Sequence, residues 1–267
     1  MPAPADLEHL TWTEPRDGVV LLTLDNPSQR NAMSGAMTTS WTRATAALAA
    51  DPDVRAVVVT GEGSAFCAGG DVSWLASEPD ATAADLRLRM QAFYRDWLSV
   101  RRIEVPVLAA VNGPVIGAGL CLALACDLGY AASSAKLGAP FVKLGLHPGM
   151  AATHLLVDAV GPMRARDLLL TGRLVEAAEA AAIGLVAAEL PDEGFLDAVL
   201  DVAAGIAATA PLASRLTTVA LREGGHRSVE EAIRWEALAQ PVTMTTDDLQ
   251  KGLAAVRERR TPRFTGR

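Results

Sequence analysis

Over its first two thirds the chain alternates short, wholly apolar runs with turns made of very small residues. The last third carries longer segments with helical periodicity. Residues 19–24 predict a buried strand, ended by the Asn26-Pro27 turn signal. Ser34 is the expected N-cap of a helix running to about Ala50, which Asp51-Pro52-Asp53 stops. The β-branched stretches 56–60 and 106–111 predict two more buried strands. Between them, Thr82 and Asp85 have capping-box spacing for a helix over 82–102, with Leu86, Met90, Phe93 and Trp97 recurring on one face. A short apolar helix is expected over 119–125, a strand over 128–132, and a loop-rich stretch over 140–149. From Pro162 onward the pattern is helical, broken at Gly172, Gly184, Pro191, Gly224-Gly225 and Pro241, with one further strand around 185–190. The recurrence of strand, small-residue turn and helix predicts repeated αβ units followed by a helical tail.

The chemistry of the chain centres on two of those turns. Phe66-Cys67-Ala68-Gly69-Gly70-Asp71 follows the 56–60 strand, and Asn112-Gly113-Pro114-Val115-Ile116-Gly117-Ala118-Gly119 follows the 106–111 strand. Tiny side chains where a helix should begin leave backbone N–H groups uncovered and able to donate to a ligand oxygen. Two such turns brought together would form an oxyanion hole.

Composition narrows the partners. Half of the 267 residues are hydrophobic and 21% are charged, as in an ordinary globular protein. A formal net charge of −7 argues against general nucleic-acid binding, while leaving room for a local basic patch that holds a phosphorylated ligand. Three cysteines, Cys67, Cys121 and Cys126, with no CxxC spacing, predict free thiols in a reducing, cytoplasmic compartment. Neither a signal-peptide pattern nor an apolar run near the ~20 residues of a membrane helix is expected.

The motifs resemble the enoyl-CoA hydratase/isomerase (crotonase) family. The likeness rests on Asn26-Pro27 with Arg30-Asn31-Ala32-Met33, on 61–71, on 112–127 and on 137–149, in that order. Leu170-Thr171-Gly172, then Glu179-Ala180 and Gly184-Leu185-Val186, add a fifth segment. The resemblance implies an α/β spiral of repeated ββα units over 1–205, and a helical region over 206–267 that builds a homotrimer or a dimer of trimers. It implies an acyl-CoA thioester as substrate, with coenzyme A arriving as part of that substrate, no prosthetic group and no metal. On the resemblance, the thioester oxygen is held by the N–H groups of Gly70 and Ala118. Arg30, Ala32, Ala68, Gly70, Asp71, Val72, Ser73 and Arg259 lie along the coenzyme A path. For Arg259, Arg257 and Arg260 are rivals, and Asp71 has a second reading as N-cap of a short helix over 72–76. Trp74, Leu75, Phe93 and Trp97 read as core or acyl-pocket wall.

The pattern departs from the family at one point. Hydration of a 2-enoyl thioester uses two carboxylates that hold a water and pass its proton to the α-carbon. The resemblance places them at Cys121 and Phe141, neither of which is a carboxylate. His147, in Gly145-Leu146-His147-Pro148, titrates near neutrality and is the first substitute, ahead of His154, Glu62 and the Cys121 thiol itself. Two functions follow: an enzyme that works on acyl-CoA with a different acid or base, or a non-catalytic acyl-CoA carrier or sensor. A serine-peptidase reading of the same spiral fails for want of a serine near Cys121.

Overall fold

The computed structural model describes residues 3–71, 80–224 and 228–267. Nine strands are present among them: β1 (Leu10–Arg16), β2 (Val19–Leu24), β3 (Ala56–Gly61), β4 (Val107–Val111), β5 (Val115–Ile116), β6 (Leu128–Ala132), β7 (Lys136–Gly138), β8 (Leu174–Glu176) and β9 (Ala188–Leu190). The helices begin with α1 (Gly35–Ala50), α2 (Ala83–Trp97), α3 (Ala118–Ala125), α4 (Ala152–Thr171) and α5 (Ala177–Ala182). The chain ends with α6 (Phe195–Ala207), α7 (Pro211–Gly224), α8 (Val229–Met244) and α9 (Asp247–Glu258).

Six strands form one sheet in the order β1-β2-β3-β4-β6-β9, and β5-β7-β8 form a smaller one. Only β1 and β2 run antiparallel in the larger sheet; each later neighbour is parallel. The chain thus deposits β4 in the large sheet, β5 in the small one and then α3, and repeats the move with β6, β7 and α4. This is the spiral that the family resemblance implies, built on the repeated αβ units expected from the turns.

All six residues of β3 and all five of β4 are buried, because both faces of the parallel sheet are covered. Strand alternation sorts them. Val20, Leu22, Val57, Val59 and Ala109 face the main core with α1 and α3. Val19, Leu21, Ala56, Val58 and Leu108 face α6 through Phe195, Val199 and Leu200. Trp41 of α1 and Trp97 of α2 stack at 5.2 Å between ring centroids, and the Trp41 Nε1–H donates to the Trp97 carbonyl at 3.1 Å. That contact fixes the C-terminal end of α2 against the core.

Local signals held where they are local. Ser34 accepts from the Met37 N–H, and Thr82 and Asp85 close the capping box. Three expectations shift. β1 is an additional strand: Pro15, which breaks its sequence pattern, sits on a sheet edge where no ladder N–H is needed. The helix expected from Pro162 already starts at Ala152, and Gly161, at φ 75°, interrupts it beside Pro162. The stripe on α2 buries only Trp97; Leu86 at its other end is exposed.

The helical tail is tied to the core by Arg222 of α7. Its guanidinium grips Asp127 at 2.7 and 2.6 Å and donates to the carbonyls of Arg101 and Ile103. Asp127 in turn accepts the Val107 N–H at 2.7 Å, so the clasp closes on the start of β4. Among the described residues no single helix is long and apolar enough to cross a membrane.

Candidate active site

The two small-residue turns lie against each other because both are paired backbone to backbone. Cys67 bridges to Val115, and the Ile116 N–H donates to the Cys67 carbonyl at 3.0 Å. On the other side, the Met33 N–H donates to the Gly69 carbonyl at 2.8 Å and the Ala68 N–H to the Arg30 carbonyl at 2.9 Å. The 30–33 segment, the 67–70 turn and the 115–118 turn are therefore three adjacent layers.

Glycine permits this spacing. A Cβ at Gly69 would lie 2.7 Å from the Ile116 carbonyl oxygen and 3.4 Å from the Ala118 nitrogen, and its φ of +97° is itself unfavourable for other residues. A Cβ at Gly119 would lie 2.4 Å from the Cys67 carbonyl oxygen. Around Gly70, by contrast, no described residue beyond its chain neighbours lies within 4 Å of the corresponding position. The Ala118 N–H is the first of α3, where no intrahelical acceptor exists and the helix end carries partial positive charge. Among the described residues neither the Gly70 nor the Ala118 N–H has an acceptor. Two free donors on interlocked turns can receive an oxygen that gains negative charge.

Two buried asparagines brace the turns. Asn31, wholly buried and at φ 56°, donates from Nδ2 to the carbonyls of Glu62 and Ala65 at 2.9 and 2.8 Å. Asn112 donates to the Gly61 and Gly63 carbonyls and accepts the Gly61 N–H at 3.2 Å. Both residues were quoted in the sequence motifs, but their roles as clamps depend on partners about 30 and 50 positions away.

The positions expected to be carboxylates form an apolar wall. Cys121 is one helical turn beyond Ala118, and a Cβ at Gly117 would lie 3.7 Å from the Phe141 ring. Burial pushes the Cys121 thiol up to about 12, and its S–H points to the Gly149 carbonyl at 3.6 Å. Cys67 is likewise raised to about 12 by burial, and Cys126 is raised too; all three are free thiols.

His147 is exposed, and its Nδ1 donates to the Pro148 carbonyl at 2.8 Å. His154 pairs with Asp158 on α4 at 3.3 Å, and Glu62 is exposed. Arg30 is an exposed side chain on the turn bonded to Ala68, Ala32 is half-buried beside it, and Asp71 is half-buried beyond Gly70. Val72, Ser73, Trp74 and Leu75 lie outside the described residues, as does the short helix expected over 72–76. Arg259 caps α9 and lines a hollow of about 530 Å³ with Pro262 and Phe264, apart from the amide pair within one chain. A second hollow, of about 950 Å³, lies between α7 and the sheet, lined by Leu124, Val186 and Arg222, and does not include the amide pair.

One group beside Gly149 and Cys121 was not among the sequence candidates. The Tyr94 hydroxyl of α2 stands over Gly149, where a Cβ would lie 2.4 Å from its oxygen. Its phenol is raised by burial, and further by the neighbouring Cys121. Among the described residues this hydroxyl has no hydrogen-bond partner. It sits on the same face as the Phe93 and Trp97 rings, which marked the segment as packing and concealed its polar end.

A pair of amides without acceptors among the described residues, at strand-to-helix turns of a spiral α/β scaffold, defines a class of fold that can present two donors to one ligand oxygen. Comparison with known proteins narrows it. The enoyl-CoA hydratase/isomerase family pattern matches residues 14–267, and the chain belongs to that family. It is 40% identical to a putative enoyl-CoA hydratase of Thermus thermophilus over 92% of this chain and 97% of that one. It is 35% identical to the probable enoyl-CoA hydratase echA8 of Mycobacterium tuberculosis over 93% and 95%. The crystal structure of an enoyl-CoA hydratase from Bacillus anthracis superposes with a TM-score of 0.92 at 30% identity, covering 97% of this chain and all of that one.

Proposed function

We propose that the protein is an enzyme acting on an acyl-CoA thioester, whose carbonyl oxygen is held between the Gly70 and Ala118 N–H groups. The observation that carries this reading is the pair of acceptor-free amides on turns locked together through Cys67, Gly69 and Ile116. Any reaction at the α- or β-carbon of such a thioester passes through an enolate, and each preorganised donor lowers that barrier by roughly 2.7–4 kcal/mol. Coenzyme A enters as part of the substrate, with Arg30 and the Ala32, Ala68 and Asp71 backbone beside its path.

Ordinary two-carboxylate hydration is not the expected chemistry, because a buried neutral thiol and a phenyl ring occupy both carboxylate positions. The same apolar wall favours a second reading, a non-catalytic acyl-CoA carrier or sensor. Spectrophotometric loss of the conjugated thioester of crotonyl-CoA, with calorimetric titration of butyryl-CoA and free coenzyme A, separates the two. Tight binding of the acyl-CoA with no turnover over a series of enoyl and β-carboxy thioesters selects the carrier. Failure to bind any acyl-CoA overturns both.

We also propose that residues 206–267 form an oligomerisation region and that the working unit is a homotrimer or a pair of them. Support comes from the exposed apolar side chains of α7, α8 and α9, among them Leu221, Val229, Leu238 and Val256, which leave more apolar surface than isolated helices need. In such an assembly Arg259 becomes available to a neighbouring site. Buried free thiols suit a reducing, cytoplasmic setting.

A further inference from the structure

We propose that the Tyr94 hydroxyl is the proton carrier for the α-carbon in this site, occupying the ground that the missing carboxylates vacate. The inference rests on the acyl-CoA reading above. Its geometry is independent of that reading. The hydroxyl lies over Gly149, whose carbonyl receives the Cys121 S–H, and Cys121 follows Ala118 by one turn of α3. The ring is half-buried, and among the described residues its hydroxyl donates to no protein group, so the O–H is left for a ligand or solvent. The Trp41–Trp97 stack holds the following turn of α2, so the ring is presented from a fixed element.

Among the described residues around it, the phenol is the group placed to exchange a proton there. Cys121 faces it from α3 as a neutral thiol. His147, on the Gly149 loop, is exposed and turned to the Pro148 carbonyl. Arg95 and Asp96 follow it on its own helix, and Phe93 meets its ring edge-on. Burial raises the Tyr94 phenol, which keeps it protonated at neutral pH and ready to donate.

The chemistry balances without an added reagent. An enolate held on Gly70 and Ala118 re-forms its C=O, and its α-carbon takes the hydroxyl proton as the O–H bond breaks. The phenolate so formed takes a proton from the water that adds at the β-carbon, or from solvent. In the reverse sense a phenolate removes an α-hydrogen, the C–H electron pair passes into the enolate, and the resulting phenol equilibrates with solvent.

That reverse step provides a test that needs no knowledge of the natural acyl chain. Exchange of the α-hydrogens of butyryl-CoA and phenylacetyl-CoA is followed by NMR in D₂O with the full-length protein. Wild type is expected to accelerate exchange, with a rate that rises with pH as the phenolate fraction grows. Tyr94→Phe keeps the ring and is expected to lose about 10²-fold or more, the scale of a lost general acid or base, with calorimetric affinity within about 3-fold. Gly149→Ala keeps the hydroxyl but displaces it, and is expected to slow exchange as well, which decides the matter if Tyr94→Phe fails to fold. Exchange within about 3-fold of wild type in a folded Tyr94→Phe, or a wild type that binds butyryl-CoA without exchanging it, overturns the role of Tyr94 alone. A wild type that binds no acyl-CoA overturns the acyl-CoA reading and this role together.

Discussion

The two amide turns and the wall beside them answer to different physical demands. The turns are built from backbone: Cys67 pairs with Val115, Gly69 lies against Ile116, and Asn31 and Asn112 clamp their flanks. Replacing any of these residues disturbs main chain on both sides. The wall is built from side chains, Cys121, Phe141 and Tyr94, projecting from α3, the loop before α4 and α2. A side chain there can change without moving its backbone. On the functions proposed above, stabilisation of a charged oxygen and transfer of a proton would reside in parts of the molecule that are free to diverge separately.

The largest expected effect sharpens this contrast from the backbone side. Ala118→Pro removes one N–H at the first position of α3, where proline is compatible with a helix, and leaves the fold in place. Turnover, or α-hydrogen exchange, should fall about 10²–10³-fold with the melting temperature little changed. An Ala118→Pro protein that keeps full activity would break the comparison outright.

From the wall side, Cys121→Glu combined with Phe141→Glu restores two carboxylates to an otherwise intact pair of turns. Crotonyl-CoA hydration is expected to rise by about 10² or more over wild type. No rise would mean that the wall differs from a hydratase site in more than two side chains.

A smaller effect tests the clamps. Asn112→Ala leaves the Gly61 N–H without its acceptor, and the Gly61 and Gly63 carbonyls without a donor. A loss of about 1–3 kcal/mol in urea unfolding is expected, accompanied by weaker acyl-CoA binding. Loss of stability without loss of binding would show that the turns hold their spacing unaided.

The smallest effect concerns Cys121. Desolvation raises its pKa in the folded protein to about 12, so the thiolate is scarce at neutral pH and becomes appreciable only as pH climbs toward that value. Iodoacetamide labelling of the native protein at pH 8 should be slow at Cys121 and become fast on denaturation, as read by mass spectrometry. Rapid native labelling would make the thiol a proton-transfer rival to Tyr94.

The same division explains what the sequence could disclose. Strands such as β3 and β4, the caps at Ser34 and Thr82, and the small-residue turns are written in consecutive residues, so spacing and composition exposed them. β1 stayed hidden because Pro15 reads as a breaker until the strand is known to lie on an edge. Tyr94 stayed hidden for a different reason. The family motifs direct attention to Cys121 and Phe141, and a group on another helix, 27 residues before Cys121 in the chain, has no motif of its own. Arg222 and Asp127, 95 positions apart, pair only after the spiral closes.

That last pair constrains how the tail is allowed to move. A guanidinium set among a carboxylate and main-chain oxygens from 101, 103 and 105 is costly to move, because swinging it outward takes the donor from the carbonyls of the buried Ile103 and Val105. Whatever docks on the outer helices must leave the chain rigid as far as Arg222. The strand that begins at Val107 and leads to Asn112 is thereby anchored from behind, opposite the end that runs into the small-residue turn at 112–119.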